Sequence, residues 1–243
     1  LLSDGGRADF VREVRAEYEE LRVRRAARQA EVQRQPLEAA RANRLRIDWT
    51  GTTPPVPSFT GVRTFDDVPL GDLVPRIDWT PFFQTWELAG HYPAILDDPV
   101  VGESARALWD DARAMLRRIV DERWLRARAV VGFFPASSDG AEDILVWDGS
   151  GETGGGRRPL AVIHTLRQQM VKPAGRANLA LADFVAPLDS GVADWIGCFA
   201  VTTGIGLDAK VAEFEAANDD YSAILLKALA DRLAEAFAER LHE

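Results

Sequence analysis

The run of residues 76–93 places the strongest constraint on the fold, because it concentrates large rings in a short stretch. It contains two Trp, two Phe and one Tyr, with one early carboxylate, Asp78. Aromatic side chains bury large areas and fix geometry, so this run is expected in or beside a core. Pro81 suits the first turn of a short helix, with Thr80 as its N-cap. On residue types alone, Asp78 is either a capping residue of a core segment or a functional carboxylate beside a wall of rings.

Charge and cysteine content limit the possible partners. The chain has 29 Lys and Arg against 38 Asp and Glu, a net charge of −9. Phosphate binding needs a basic face, so a cationic ligand or a basic protein surface is expected and nucleic acid is not. The single cysteine, Cys198, excludes an internal disulfide framework and fits a reducing cytoplasm. We expect it to be a small buried hydrophobic residue.

The two ends of the chain and its hydropathy carry further expectations. No run of about 18 apolar residues is present, so no membrane span is predicted. The first residues lack an initiator methionine and the regions of a signal peptide. The sequence is therefore expected to be a piece of a longer protein.

Apolar periodicity predicts three long helices. The first covers residues 7–35, with one narrow apolar stripe that fades in its second half, and it is expected to act as a linker that ends at Pro36. Amphipathic spacing predicts the other two over residues 102–123 and 220–243. The stretch between Leu45 and Val74 carries four prolines and is expected to have little regular structure.

Runs of β-branched and aromatic residues predict four strands. They lie at residues 129–134, 143–147, 160–164 and 193–202. The glycine-rich residues 149–156 are expected to form the hairpin connection between the second and third strands. Together these elements predict an α+β fold, with a mostly antiparallel twisted sheet covered by long helices and preceded by a helical linker.

One face of the last predicted helix carries polar groups. Lys227, Asp231, Glu235 and His242 project together opposite its apolar stripe. The two carboxylates are one turn apart and repel by a few tenths of a kcal/mol, roughly, unless a cation lies between them. This face is either simply solvated or part of a binding site.

Several kinds of chemistry have no support in the sequence. The three histidines and one cysteine are too scattered for a zinc site, and no nucleophile elbow or Cys–His pair is found. Residues 202–206 lack the full Gly-x-Gly-x-x-Gly signature and are interpreted as a turn. A stand-alone Rossmann-type methyltransferase is therefore disfavoured.

Five separate blocks, in order, resemble one known family. They are IDWTPFF with the following TW, LAG and YP at 77–93, VVGFFPA at 130–136, LRQQ at 166–169, LADFVAP at 181–187, and DDY at 219–221 running into KALADRLAEAF at 227–237. These blocks are similar to the activation domain of cobalamin-dependent methionine synthase. The first 22 residues also resemble the helical tail that leads out of that enzyme's cobalamin-binding domain. The implied organisation is a helical linker over residues 1–36 and an incomplete activation domain over residues 37–243.

The resemblance implies a function in reactivation. In this family the domain binds S-adenosylmethionine in a shallow groove and holds it over cobalamin, which belongs to a domain not in this chain. When the cobalamin has been oxidised to the inactive cob(II)alamin state, an electron from flavodoxin or an equivalent reductase and the methyl group of S-adenosylmethionine restore methylcobalamin. Asp78 matches the family position that binds the ligand ammonium, and Asp231 and Glu235 match acidic positions facing the groove.

The resemblance also implies what lies outside these residues. The parent is expected to be a cytoplasmic methyltransferase that moves a methyl group from 5-methyltetrahydrofolate to homocysteine in methionine biosynthesis, and this chain alone is expected not to be catalytic. The family continues past Glu243 with an Arg-Pro-x-x-Gly-Tyr-Pro segment whose arginine pairs the ligand carboxylate, so part of the pocket is expected to lie there. The alternative is a non-catalytic docking module for a flavodoxin-type reductase or the cobalamin domain.

Overall fold

A computed structural model describes residues 4–31, 33–149 and 158–243 of the 243-residue chain. Within these residues the α-helices are α1 (Asp4–Glu31), α2 (Leu37–Ala42), α3 (Leu70–Leu73), α4 (Trp79–Thr85), α5 (Gly102–Asp121), α6 (Leu207–Ala216) and α7 (Asp220–His242). The strands are β1 (Gly61–Val68), β2 (Arg126–Ser138), β3 (Asp143–Val146), β4 (Ala161–His164) and β5 (Asp194–Ile205). None of these helices is both long and apolar enough to cross a bilayer. Apart from Gly149, the predicted hairpin connection at 149–156 lies outside the described residues.

The strand pairing confirms the predicted fold class. Antiparallel ladders join β1 to β2, β2 to β3 and β3 to β4, and β5 also pairs with β2. The registers place these residues opposite each other: Gly61 and Phe133, Ala136 and Val146, Asp143 and His164. The protein therefore combines long helices with an antiparallel sheet.

Two expectations about regular structure were wrong. β1 and α3 occupy much of the stretch from Leu45 to Val74, because the prolines cluster before the strand and at Pro69 after it, where they break no ladder. The predicted turn at 202–206 is instead strand through Ile205, and α6 follows it. Gly206 makes this junction with a φ of +101°, and a Cβ there would lie 2.5 Å from the Trp124 carbonyl oxygen.

The chain divides into two compact units, and β2 and β5 contribute to both. Unit 2 comprises Gly61–Phe133 and Gly197–Glu243 and contains the larger apolar core. Both predicted amphipathic helices in it, α5 and α7, bury their apolar stripes. The fully buried side chains include Phe82, Phe83, Ile119, Leu229, Leu233 and Phe237.

Unit 1 comprises Leu1–Thr60 and Phe134–Ile196 and is organised around a buried ion network. The Arg167 side chain is fully buried and donates to Glu142 at 2.7 Å and to both oxygens of Asp183 at 2.8 Å. These hydrogen bonds raise the pKa of Arg167 although burial opposes the shift. The helix α1 precedes this network, and the proposal that residues 1–36 act as a linker stays a prediction.

Replacing Arg167 tests the network. Arg167→Met would leave the Asp183 side chain, which is 4% exposed, without its bidentate partner. Breaking a buried pair costs about 3–5 kcal/mol, so we expect urea unfolding to show a loss of that size. Arg22→Gln is the control, because it breaks an exposed pair with Glu19 and should cost less than about 1 kcal/mol. Similar small losses for both variants would contradict a structural role for the network.

A hydrogen bond between α5 and α7 makes a pH-dependent prediction. The Tyr221 hydroxyl donates to Asp111 Oδ2 at 2.8 Å. Partial burial, followed by this hydrogen bond, raises the pKa of Tyr221 from 10.0 to about 12. The resulting stabilisation is complete below the unfolded pKa and is lost as the pH rises through the folded one. The difference in unfolding free energy between wild type and Tyr221→Phe should therefore narrow between about pH 9 and about pH 12; a constant difference would exclude this linkage.

Candidate ligand-binding surface

Asp78 caps α4 and keeps its carboxylate in solvent. Its backbone is extended, and its Oδ1 accepts a hydrogen bond from the Thr80 backbone N–H at 2.9 Å. The expectation that Thr80 is the N-cap was wrong, because Thr80 already lies inside α4, which begins at Trp79. The Thr80 hydroxyl instead accepts from the Tyr92 backbone N–H at 3.2 Å. Asp78 is exposed, and its Oδ2 has no hydrogen-bond partner in the part of the chain that the structure describes.

A wall of rings lies in α4, directly after Asp78 in the chain, and the expectation that this aromatic run belongs to a core is confirmed. α4 buries Trp79, Phe82 and Phe83. The Trp79 ring makes edge-on contacts with Trp109 at 4.4 Å and with Phe82 at 5.4 Å between centroids. These rings fix α4 in the core of unit 2. The backbone of Asp78, which caps α4, is therefore held in place.

Asp231 and Glu235 form one acidic pair on α7. Their side chains are 68% and 61% exposed. The cation between them is Arg232, which donates to Asp231 Oδ2 at 2.6 Å and to the two Glu235 oxygens at 2.6 and 2.8 Å. Sequence reasoning missed Arg232, although it falls between Leu229 and Ala236 in the apolar stripe, where a charge stands out.

The predicted polar face of α7 is less continuous than expected. Lys227 pairs with Glu215 of α6, with 3.5 Å between nitrogen and oxygen. His242 lies edge-on to Phe199, with 5.2 Å between ring centroids. Asp231 and Glu235 therefore form a local site of their own, and the other two residues belong to different contacts.

The approach to α4 is tied to the end of α7. Arg76, two residues before Asp78, pairs with Glu243, with 2.9 Å between Arg76 Nε and Glu243 Oε1. This guanidinium lowers the pKa of the Glu243 carboxyl. α4 and α7 also pack against each other, so the helix that carries Asp231 and Glu235 is fixed relative to the helix that Asp78 caps.

An open apolar groove runs beside the ring wall. It has a volume of about 410 Å³ and is lined by Trp79 of α4 and by Trp109, Arg113, Leu116 and Val120 of α5. None of the three predicted ligand residues lines it. Trp79, which follows Asp78 in the chain, lines the groove, but the groove is otherwise separate from the three predicted ligand residues.

Two further expectations concern Cys198 and metals. Cys198 is exposed on β5, so the prediction of a buried side chain was wrong. Its neighbours from Gly197 to Ala200 are exposed as well. Among the described residues, no group of three or more His, Cys, Asp or Glu side chains is arranged to hold a metal ion.

These features define an α+β domain with an acidic, exposed candidate surface built on a wall of buried rings. Over residues 69–243 the chain matches the family model of the vitamin B12 dependent methionine synthase, activation domain. The chain belongs to this family. Its structure is similar to the crystal structure of the MetH reactivation domain bound to AdoHcy, with a TM-score of 0.78 and 51% sequence identity. That similarity covers 86% of this chain and 62% of the solved chain, so this sequence spans less than two thirds of that relative.

Two substitutions separate the capping role of Asp78 from its charge. Asp78→Ala removes the N-cap and should lower the free energy of unfolding by about 1 kcal/mol. Asn caps helices as well as Asp does, so Asp78→Asn should leave stability within about 0.5 kcal/mol of wild type. Urea unfolding of both variants measures the difference. Equal losses would show that the carboxylate charge, and not capping, stabilises α4.

Proposed function

We propose that this chain binds S-adenosylmethionine as part of a cobalamin-dependent methionine synthase, and presents its methyl group for reductive remethylation of cob(II)alamin. The observation that supports this most directly is the Asp78 carboxylate, exposed on a rigid ring-backed base with one oxygen unused. The relative that is 51% identical carries AdoHcy, the demethylated form of the same ligand, in its crystal structure. Both observations favour a nucleoside–amino acid ligand.

Charge complementarity favours the methyl donor. S-adenosylmethionine carries a sulfonium, an ammonium and a carboxylate, and therefore a net positive charge. Asp78 Oδ2 is proposed to accept a hydrogen bond from the ligand ammonium, which is stronger than a neutral one because both groups are charged. Asp231 and Glu235 are proposed to add negative charge along the same ligand, since their side chains remain 68% and 61% exposed. The chain thus orients the ligand and supplies an electrostatic field that attracts it.

The remaining parts of the reaction are proposed to lie on other segments. Cobalamin, held by a neighbouring domain, would supply the cobalt that accepts the methyl group. A flavodoxin or equivalent reductase would supply the electron. Methyl transfer from 5-methyltetrahydrofolate to homocysteine, and hence the methyltransferase activity, is proposed for the whole enzyme and not for this chain alone. A cytoplasmic location is proposed, and the unpaired Cys198 supports a reducing compartment.

A second candidate function is a docking module without ligand binding. Unit 2 holds 21 acidic and 13 basic residues, a net charge of −8. A surface of this charge steers basic partners toward it. This function would require a basic face on the reductase or on the cobalamin-binding domain.

Calorimetry with S-adenosylmethionine tests the proposal. The titration uses the 243-residue chain and a polypeptide extended past Glu243 along the family pattern. Asp78→Asn should weaken binding by about 10-fold to 150-fold, because a charge-assisted hydrogen bond is worth about 1.5–3 kcal/mol. The matched control is Asp219→Asn, since Asp219 caps α7 by accepting from the Ser222 backbone N–H at 3.0 Å and should not contact the ligand.

Three results would decide between the two functions. Loss of affinity for Asp78→Asn with wild-type affinity for Asp219→Asn supports ligand binding through Asp78. Equal affinity for all three proteins would remove Asp78 from the site. Absence of binding by both wild-type forms would overturn the proposal and leave the docking module as the better account.

A further inference from the structure

Arg232 is a nearly buried arginine whose ion-pair partners are exposed to solvent. It lies on the apolar side of α7, and its side chain is only 8% exposed. Its guanidinium nevertheless reaches two exposed carboxylates, that of Asp231 one residue before it and that of Glu235 three residues after it. Burial opposes the charge, but these hydrogen bonds raise the pKa of Arg232. The cation is therefore retained at neutral pH.

We propose that Arg232 is a positioning residue of the ligand site, which holds the carboxylates of Asp231 and Glu235 in one orientation for a cationic ligand. This inference rests on the proposed function. It assigns a role to a side chain that does not itself contact the ligand, and it explains why a buried arginine should be paired with two solvent-exposed acids.

The hydrogen-bond geometry leaves the acids able to bind something else. An ionised carboxylate has about four acceptor sites. Glu235 uses one site on each oxygen, and Asp231 uses Oδ2 alone. Asp231 Oδ1 has no hydrogen-bond partner among the residues that the structure describes. Free acceptor sites on two fixed carboxylates form a pre-organised surface for N–H and O–H donors.

Stability alone gives a poor explanation of this arrangement. Ion pairs with exposed partners contribute little to folding, and both acids here are more than half exposed. Without the guanidinium, two carboxylates one helical turn apart repel each other, and the hydrogen bonds that orient them are lost. The planar fork of arginine fixes Glu235 through two parallel contacts, which a lysine cannot do. Together the three groups carry one net negative charge, opposite to that of S-adenosylmethionine.

The test is a double-mutant cycle measured by calorimetry with S-adenosylmethionine. Arg232→Met keeps the apolar stem and removes the fork, and should weaken binding by about fivefold or more. Arg232→Lys should give an intermediate loss, because it keeps the charge without the bidentate geometry. In the Asp231→Asn, Glu235→Gln background, Arg232→Met should change the affinity by less than about twofold, since nothing remains to be positioned. Circular dichroism and thermal unfolding accompany each variant, and Arg232→Gln replaces Arg232→Met if the latter does not fold.

The outcomes separate this inference from the function on which it rests. Wild-type binding that falls with Asp78→Asn but is unchanged by Arg232→Met would overturn the inference and leave the proposed function intact. A full loss for Arg232→Met that persists in the double-variant background would show a purely structural role and would also overturn it. Absence of binding by the wild-type chain and by its extended form would overturn both.

Discussion

The hydrogen bond from the Thr80 backbone N–H to Asp78 Oδ1 is the contact on which the candidate site depends. It starts α4 at Trp79, and this start directs Trp79, Phe82 and Phe83 into the core of unit 2. The same contact uses only one carboxylate oxygen and leaves the other in solvent. One residue thus serves the fold and remains available for a ligand, so a capping role and a binding role for Asp78 do not exclude each other.

The helix α7 carries the other two predicted ligand residues, Asp231 and Glu235, and it too is buried on one side and exposed on the other. Its apolar side is buried along Leu229, Leu233 and Phe237, and the Thr203 hydroxyl donates to the Ala230 carbonyl at 2.7 Å. These contacts fix the helix from the β5 side. Arg232 extends from that buried side to the exposed acids, so packing in the core determines where two surface carboxylates lie.

Much of this architecture could be predicted from local patterns in the amino-acid sequence. The 3.6-residue periodicity of α5 and α7 identified both helices, and runs of β-branched residues identified four strands to within a few residues. β1 was missed because nearby prolines dominate its composition, although none lies inside the strand. Cys198 was wrongly assigned to the core. The exposure of a strand depends on which other elements pack over it, and the local sequence does not specify those elements.

The site was predictable in part, for reasons that differ between residues. Resemblance to the family selected Asp78, Asp231 and Glu235, and the structure finds all three exposed, while their contacts with a ligand stay a prediction. The N-cap was assigned to Thr80 because Ser and Thr before proline are good caps, whereas the aspartate two residues earlier took that role. Arg232 was overlooked because helical-wheel reasoning assigns charges to the solvent side, and a long side chain can cross from one side to the other.

A crystal structure of this chain, or of its extended form, with S-adenosylmethionine would test the central claim most directly. The account predicts the ligand amine nitrogen within about 3 Å of Asp78 Oδ2, with Oδ1 still accepting from the Thr80 backbone N–H. Ligand density elsewhere, with the Asp78 carboxylate facing only water, would contradict it.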